Sequence, residues 1–245
     1  EICACLVGSE MCIRDSWYID YNYEHFDSAT GRMVGTLRIP CFLVHNNVRV
    51  DSRSILHDTL DYVEKELLEL FKKHPQVAGL EHISGEDIEK IIFTCATELE
   101  FWVKSPREDA PIEALSSSQM MQEQYWQRCR GNVRTALEQT VEMLEAYGLG
   151  PEMGHKECGG VRGQIDDNGH MTHVMEQLEV DWKYSYGVQT ADNELLARII
   201  VKEIFRLNGL EVSFQAKPVP GVAGSGEHTL SLIHISEPTR HAQIS

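Results

Sequence analysis

The sequence lacks any apolar run of the roughly 20 residues that a bilayer-spanning helix needs, so we expect no membrane partner. It also lacks a positively charged segment followed by an apolar stretch, so we expect no signal peptide. Lysine and arginine are scarce: there are 22 of them against 38 aspartates and glutamates, a formal net charge of −16. Because an acidic protein repels a phosphate backbone, we expect no nucleic-acid partner.

Both ends of the chain contain peptides that a common transposon sequencing adaptor encodes. Residues 6–16 match one strand of the adaptor, and residues 230–240 match the other strand. We therefore expect 1–16 and 230–245 to be translated adaptor and its read-through, and we exclude them from the fold prediction. The alternative interpretation is a genuine disordered tail at each end.

Few cysteines occur between these ends, and no two of them lie close together; they are Cys41, Cys95, Cys129 and Cys158. Their spacing excludes a Cys-x-x-Cys zinc or redox site, and unpaired thiols are typical of the cytoplasm. We therefore expect a cytoplasmic protein. Its 245 residues suit one large domain or two small ones.

Apolar residues at helical spacing predict three helices, at 51–73, 116–147 and 192–208. We expect Asp51 and Asp192 to cap the first and third helices, and Gly148 to end the second. Predicted strands lie at 36–44, 93–103, 150–157 and 211–217, and Asp-Asp-Asn-Gly at 166–169 predicts a hairpin turn between two more. Helices mixed with antiparallel hairpins indicate an α+β fold.

Glu98 and Glu100 are two residues apart in a predicted strand, so their side chains lie on one face, with Cα atoms about 7 Å apart. Two carboxylates at that separation repel each other unless a cation lies between them or one takes a proton. Each could bind one ion of a metal pair about 4 Å apart. A solvent-exposed strand face with no ligand is the alternative interpretation.

Two later segments add carboxylates. Glu152 and Glu157 face opposite ways if their segment is extended, whereas Glu179 and Asp181 share a face. Carboxylate oxygens are the ligands that hard cations prefer.

Three glycines, at 221, 224 and 226, allow close backbone approach to a ligand, although a plain turn is the alternative. No Lys-Ser/Thr pair follows them, which excludes a P-loop. The His-x-Glu of zinc deaminases occurs at 155–157, but the Pro-Cys-x-x-Cys that those enzymes require does not follow it.

Five motifs, taken in order and spacing, resemble those of glutamine synthetases: Glu-Leu-Glu-Phe at 98–101, His-Lys-Glu at 155–157, Gln-Leu-Glu-Val-Asp at 177–181, Ala-Lys-Pro at 216–218 and Gly-Ser-Gly-Glu-His at 224–228. The resemblance covers about 36–229. It implies a curved, mostly antiparallel sheet (a half-barrel) with flanking helices. It also implies that 17–45 ends an N-terminal β-grasp-like domain and forms the junction, and that 46–229 is part of the catalytic domain.

The resemblance also implies the metal ligands. Glu100, Glu157 and Glu179 would hold a metal that helps bind glutamate, and Glu98 and His228 would hold a second metal, at the ATP phosphates. Carboxylates with one imidazole suit Mg²⁺ or Mn²⁺ better than zinc. We therefore expect two or more such ions as cofactors, together with ATP.

Substrate contacts follow from the same resemblance. Glu152 would contact ATP, Gly224 would contact glutamate through its backbone, and His228 would lie near the transferred phosphoryl group. His228 and Glu98 are accordingly the catalytic candidates.

The implied reaction is the ATP-dependent ligation of ammonia to glutamate. The glutamate side chain attacks the ATP γ-phosphorus, and ammonia then displaces phosphate from γ-glutamyl phosphate to give glutamine. The partners implied are glutamate, ammonia and ATP, with a homo-oligomer for the full-length parent. The family's substrate arginines, gating loop and ammonium-site aspartate lie outside these motifs, so we expect this chain to be inactive alone.

Two alternatives remain open: a ligase that joins glutamate to another amine, and a non-catalytic homologue with a structural or regulatory role. Many family members have Asn and Met where this chain has Ala223 and Glu227, both beside the substrate pocket. Retention of five metal ligands argues against the non-catalytic homologue, because buried carboxylates without a metal are costly.

Overall fold

The computed structural model describes residues 10–13, 18–80, 82–104, 128–129, 131–160, 164–165, 171–172 and 175–236. This part contains three α-helices: α1 (Ser52–Lys73), α2 (Gly131–Ala146) and α3 (Val188–Leu207). The strands are β1 (Glu10–Ile13), β2 (Tyr18–Asp27), β3 (Arg32–Arg38), β4 (Cys41–His45), β5 (Val48–Arg49), β6 (Lys90–Lys104), β7 (Pro151–Gly160), β8 (Gln164–Ile165), β9 (Met171–Thr172), β10 (Met175–Trp182), β11 (Ser185–Tyr186), β12 (Glu211–Ser213) and β13 (Glu227–Ser236). None of the described helices is long and apolar enough to cross a membrane.

The largest sheet is built around β6. β10 and β13 pair with opposite edges of β6, since both pair with Glu98 and Leu99. β7 pairs with the free edge of β10, and β11 and β12 pair with other stretches of β6. Every strand pair in the described part of the chain is antiparallel, and helices accompany the sheet, so the α+β prediction is confirmed.

Residues of β6 alternate between the two faces of this sheet. Leu99, Phe101 and Val103 are buried and belong to the main hydrophobic core, together with residues of α2 and α3. Burying one such side chain stabilises the fold by about 1.5–3 kcal/mol. The other face carries Glu98 and Glu100, so the alternation that fills the core also brings two carboxylates together.

α1 has the predicted bounds. Asp51 caps it, and its Oδ1 accepts a hydrogen bond from the backbone N–H of Ser54 at 2.9 Å. The predicted apolar stripe is only partly covered, however, because Ile55 is 67% exposed and Leu70 is 40% exposed.

α3 begins earlier than predicted. It starts at Val188, so the prediction that Asp192 caps it is wrong, although its end at Leu207 agrees with the prediction. Asp192 lies inside the helix, where its two carboxylate oxygens accept hydrogen bonds from Arg53 Nε and Nη2, both at 2.8 Å. The aspartate therefore joins α3 to α1.

α2 is shorter than the predicted helix 116–147. Residues 128–129 are not helical, and α2 begins only at Gly131, whose φ is +57°. Serines 116–118 lie outside the described residues. The predicted end is confirmed: Gly148 has φ +80°, and the N–H of Leu149 donates to the carbonyl of Leu144 at 3.0 Å.

The strand predicted at 36–44 is in fact two strands. β3 pairs with β2, whereas β4 pairs with β1 and β5. Pro40 lies between them and has no N–H to donate, which explains the interruption.

Two further strand predictions and the adaptor prediction have different outcomes. β12 ends at Ser213, short of the predicted 217. β8 and β9 pair on either side of the predicted hairpin turn, whose own residues lie outside the described part. β13 includes residues 230–236, so it extends into the segment expected to be adaptor; the origin of both ends remains a prediction.

Candidate active site

Strand register gathers the predicted ligands on one face of the sheet. On β6, Glu98 lies opposite His228 of β13 on one side and opposite Asp181 of β10 on the other. Glu100 lies opposite Glu179 of β10. Residues directly opposite each other in antiparallel strands project to the same face. The side chains of three strands therefore converge although they are far apart in the sequence.

One compact group of possible metal ligands contains Glu98, Glu179 and His228. Each offers one ligand atom, and these three atoms lie within 4.8 Å of one another. Nδ1 of His228 is 3.2 Å from Oε2 of Glu98. Two carboxylates and one imidazole from three strands can thus reach a single cation.

A second group contains His155, Glu157 and Glu179, again with ligand atoms within 4.8 Å of one another. Nε2 of His155 is 3.3 Å from Oε1 of Glu157 and 3.9 Å from Oε1 of Glu179. Sequence reasoning missed His155 as a member of the site. It lies two residues before Glu157, so the spacing rule that linked Glu98 to Glu100 could have found it.

Glu100 lies beside both groups, but it is held by protein donors. Its Oε2 accepts hydrogen bonds from Nε2 of Gln177 at 2.6 Å and from the backbone N–H of Gly226 at 2.8 Å. Its Oε1 lies 3.8 Å from Nδ1 of His228. One carboxylate oxygen is therefore anchored, and the other is directed towards the histidine.

The carboxylates perturb one another. Burial raises the pKa of the Glu179 carboxyl from 4.5 to about 7. Four neighbouring carboxylates add to this rise in pKa, in decreasing order Glu157, Glu98, Glu100 and Asp181. The Glu179 carboxyl therefore titrates near neutral pH, and a cation that binds there would compete with its proton.

Asp181 also belongs to this charged face. Burial raises its pKa, and the backbone N–H of Met153, which donates to its Oδ1 at 2.5 Å, opposes the rise. The charge of Glu152 raises the pKa of Asp181 further. Glu152 is the chain neighbour of Met153, which pairs with Asp181 across the two strands.

Glu152 lies at the edge of the site rather than within either ligand group. Its side chain is exposed. It lies at a break in the register between β7 and β10, because Asp181 pairs with Met153 whereas Trp182 pairs with Pro151. It also borders a cavity of about 730 Å³ that lies between β7 and α2. The contact of Glu152 with a nucleotide stays a prediction; it would lie on β7, the edge strand of the sheet in the described part of the chain.

Gly224 lies in the glycine turn, residues 221–226, immediately before β13. Its carbonyl accepts a hydrogen bond from Nε2 of Gln177 at 2.8 Å, and a Cβ added to it would lie 2.5 Å from the carbonyl oxygen of Ala216. Only glycine fits there, but the close neighbour is protein backbone, so the close approach of a ligand stays a prediction.

The donor set fits divalent cations of the Mg²⁺ or Mn²⁺ type. It consists of carboxylate oxygens with imidazole nitrogens and includes no thiolate in either ligand group. Crowded carboxylates with a raised pKa are also what a cation would stabilise. The fold and site together define an α+β domain with a carboxylate-rich cation site.

The chain belongs to the glutamine synthetase family. The family model described as "Glutamine synthetase, catalytic domain" matches residues 78–242. Glutamine synthetase of Pyrococcus abyssi is 33% identical over 95 residues, which cover 39% of this chain and 17% of that protein. Glutamine synthetase of Mycolicibacterium smegmatis is 27% identical over 162 residues, which cover 63% of this chain and 32% of that protein.

Solved structures agree on the fold. A structure described as a novel glutamine synthase homolog superposes with a TM-score of 0.52 at 18% identity, over 92% of this chain and 42% of that chain. The apo structure of GmaS gives a TM-score of 0.54 at 16% identity, over 94% of this chain and 44% of that chain. The chain thus spans less than half the length of these relatives.

Proposed function

We propose that the full-length protein catalyses the ATP-dependent ligation of ammonia to glutamate through γ-glutamyl phosphate. The observation that carries this proposal is the convergence of Glu98, Glu179 and His228, from three separate strands, within 4.8 Å of one another. Membership of the glutamine synthetase family supports a ligase of this type.

The five predicted ligands would act in two sets. Glu100, Glu157 and Glu179 would hold the cation that helps bind glutamate, and Glu98 and His228 would hold the cation at the ATP phosphates. When bound, such cations neutralise phosphate charge and favour phosphoryl transfer.

The chain's own residues would position the reactants. A carbonyl oxygen has two lone pairs, so Gly224 can accept a hydrogen bond from the glutamate amino group while it accepts one from Gln177. His228 would be oriented towards the transferred phosphoryl group by its contact with Glu98. Glu152 would contact the nucleotide from β7. Most of the catalysis would then come from orientation and charge.

The wider assignments are also part of this proposal. The full-length protein would be a cytoplasmic homo-oligomer in which residues 46–229 form part of the catalytic domain, and 17–45 form the end of an N-terminal β-grasp-like domain and the junction.

Direct Mn²⁺ binding to this chain tests the cation site. Glu179 belongs to both ligand groups, so Glu179→Gln should weaken Mn²⁺ binding at least tenfold, measured by the electron paramagnetic resonance signal of free Mn²⁺. Glu145→Gln makes the same charge change on the exposed side of α2 and should leave binding unchanged. Equal affinities in the two variants would contradict the cation site.

Turnover tests the reaction. In the full-length protein, Glu157→Ala should abolish glutamine formation but preserve the fold, whereas Glu145→Ala should leave both glutamine formation and the fold intact. ATP hydrolysis in the presence of glutamate should be stimulated by ammonia. Stimulation only by a larger amine would indicate the alternative ligase, and no turnover with any amine would indicate a non-catalytic homologue.

A further inference from the structure

Gln177 is a buried amide that connects three segments around the site. It lies on β10, two residues before Glu179, and its side chain is 1% exposed. Its Nε2 donates to Oε2 of Glu100 at 2.6 Å and to the carbonyl of Gly224 at 2.8 Å. Its Oε1 accepts from the backbone N–H of Gly159, on β7, at 3.0 Å. One side chain therefore contacts β6, β7 and the glycine turn together.

These contacts occupy both N–H donors of the Gln177 amide. An amide NH₂ has two hydrogens, and the Glu100 carboxylate and the Gly224 carbonyl account for both. The Glu100 oxygen that Gln177 contacts also accepts from the N–H of Gly226, so two donors fix that oxygen. The second oxygen, Oε1, is left facing His228 at 3.8 Å from its Nδ1. The orientation of the Glu100 carboxylate thus depends on Gln177.

The surrounding backbone leaves little room for the amide to move. A Cβ at Gly159 would overlap Oε1 of Gln177 and the ring of Trp102. A Cβ at Gly226 would lie 2.7 Å from Oε1 of Glu100. Two glycines therefore permit the close packing that holds Gln177 and Glu100 in register.

We propose that Gln177 is a positioning residue: its amide orients the Glu100 carboxylate for cation binding and ties it to the Gly224 carbonyl. This inference rests on the proposed role of Glu100 as a cation ligand. Donors that orient a ligand typically contribute a factor of about 10–100 to metal affinity. A role confined to stabilising the core would leave that affinity unchanged.

The test is Mn²⁺ titration of this chain and its Gln177→Met variant, together with thermal unfolding of each. Methionine keeps the length and volume of glutamine but donates no hydrogen bond. We expect the affinity of one Mn²⁺ to fall about 10- to 100-fold. Asn193→Leu is the matched control, because it removes a buried amide on α3 that donates to Oγ of Ser185 at 2.8 Å. This control should lower thermal stability and leave Mn²⁺ affinity unchanged.

Gly159→Ala displaces the same amide without changing residue 177, and it covers the case in which Gln177→Met does not fold. It should reproduce the weaker Mn²⁺ binding, whereas Gly35→Ala, where a Cβ meets nothing within 4 Å, should not. Unchanged Mn²⁺ affinity in a folded Gln177→Met or Gly159→Ala chain would overturn the positioning role and leave the proposed function intact. Absence of Mn²⁺ binding by the unsubstituted chain would overturn both.

Discussion

Glu179 is the carboxylate that both groups of candidate ligands share. Burial and four acidic neighbours raise its pKa to about 7, so in the metal-free protein its protonated form is favoured far above the usual range of a glutamate. The charges that suit a cation therefore destabilise the fold when no cation is present. Because of this conflict, the contribution of Glu179 to folding stability depends on pH.

The pH dependence of stability should reveal this conflict. The folded-state pKa of about 7 lies above the unfolded value of 4.5, so the folded state binds the proton more tightly. The stabilising contribution of the proton is present at low pH and is lost as the pH rises towards 7. Relative to the unsubstituted protein without metal, Glu179→Gln should gain on the order of 2 kcal/mol of unfolding free energy between pH 5 and pH 8.

Urea denaturation at several pH values measures this difference. Glu145→Gln, at an exposed position on α2, serves as the control and should track the unsubstituted protein at every pH. A stability difference for Glu179→Gln that stays constant from pH 5 to pH 8 would contradict the raised pKa.

Sequence reasoning could identify individual ligands but not their partners. The spacing of Glu98 and Glu100, and that of Glu179 and Asp181, predicts a shared face from geometry alone. The hydrogen bonds of Glu100 with Gln177 and Gly226 depend on which strands are neighbours. Nothing in local spacing specifies that arrangement, so the amide at residue 177 was indistinguishable from any other polar residue in a motif.

At the scale of elements, the ion pair between Arg53 and Asp192 connects α1 to α3. Both distances are 2.8 Å, and the side chains are 19% and 7% exposed. Removing one partner leaves the other charge partly buried without compensation. The pair therefore contributes to the packing of two helices that are more than a hundred residues apart in the sequence.

Asp192→Ala should destabilise the protein by about 3 kcal/mol, because it leaves the partly buried charge of Arg53 without its ion-pair partner. Loss of a helix cap would cost only about 1 kcal/mol. Thermal or urea unfolding distinguishes the two values. Asp58→Ala is the control, since Asp58 pairs with Arg49 at 3.6 Å on the surface and should have little effect. A cost equal to that of Asp58→Ala would argue against the buried pair.

Asp51 and Asp192 show where the prediction of a helix start succeeds and where it fails. Asp51 and Asp192 have the same local signal for a helix start, yet only Asp51 has a free backbone N–H three residues ahead of it to bind. Gly187 and the contacts of Thr190 with Cys95 and Ser185 set the actual start of α3. Those contacts come from the sheet, so the sequence near Asp192 does not contain them.

At the scale of the molecule, part of the apolar surface of α1 is not covered by any of the residues that the structure describes. Ile55 is 67% exposed, although it lies on the stripe that predicted the helix. The periodicity of a helix tells which side is apolar, but the elements that bury it belong to the whole fold. An exposed apolar stripe favours self-association.

Ile55→Gln should therefore reduce self-association and leave thermal stability nearly unchanged, as measured by light scattering and thermal unfolding. Ile200→Gln is the opposite control, because Ile200 is 2% exposed in the main core. It should lower stability by several kcal/mol, within the range of about 2–5 kcal/mol for severe core substitutions. Undiminished scattering by Ile55→Gln would show that another surface drives association.

The pairing of β13 with β6 has a kinetic consequence. Gly226 contacts Glu100 across 126 residues of chain, so the ligand set is complete only after a long-range closure of the chain. A cation should have little affinity for the chain before that closure. Mn²⁺ should accordingly slow unfolding strongly while leaving the rate of refolding almost unaltered in stopped-flow experiments. The cation would therefore stabilise the folded domain without promoting its folding.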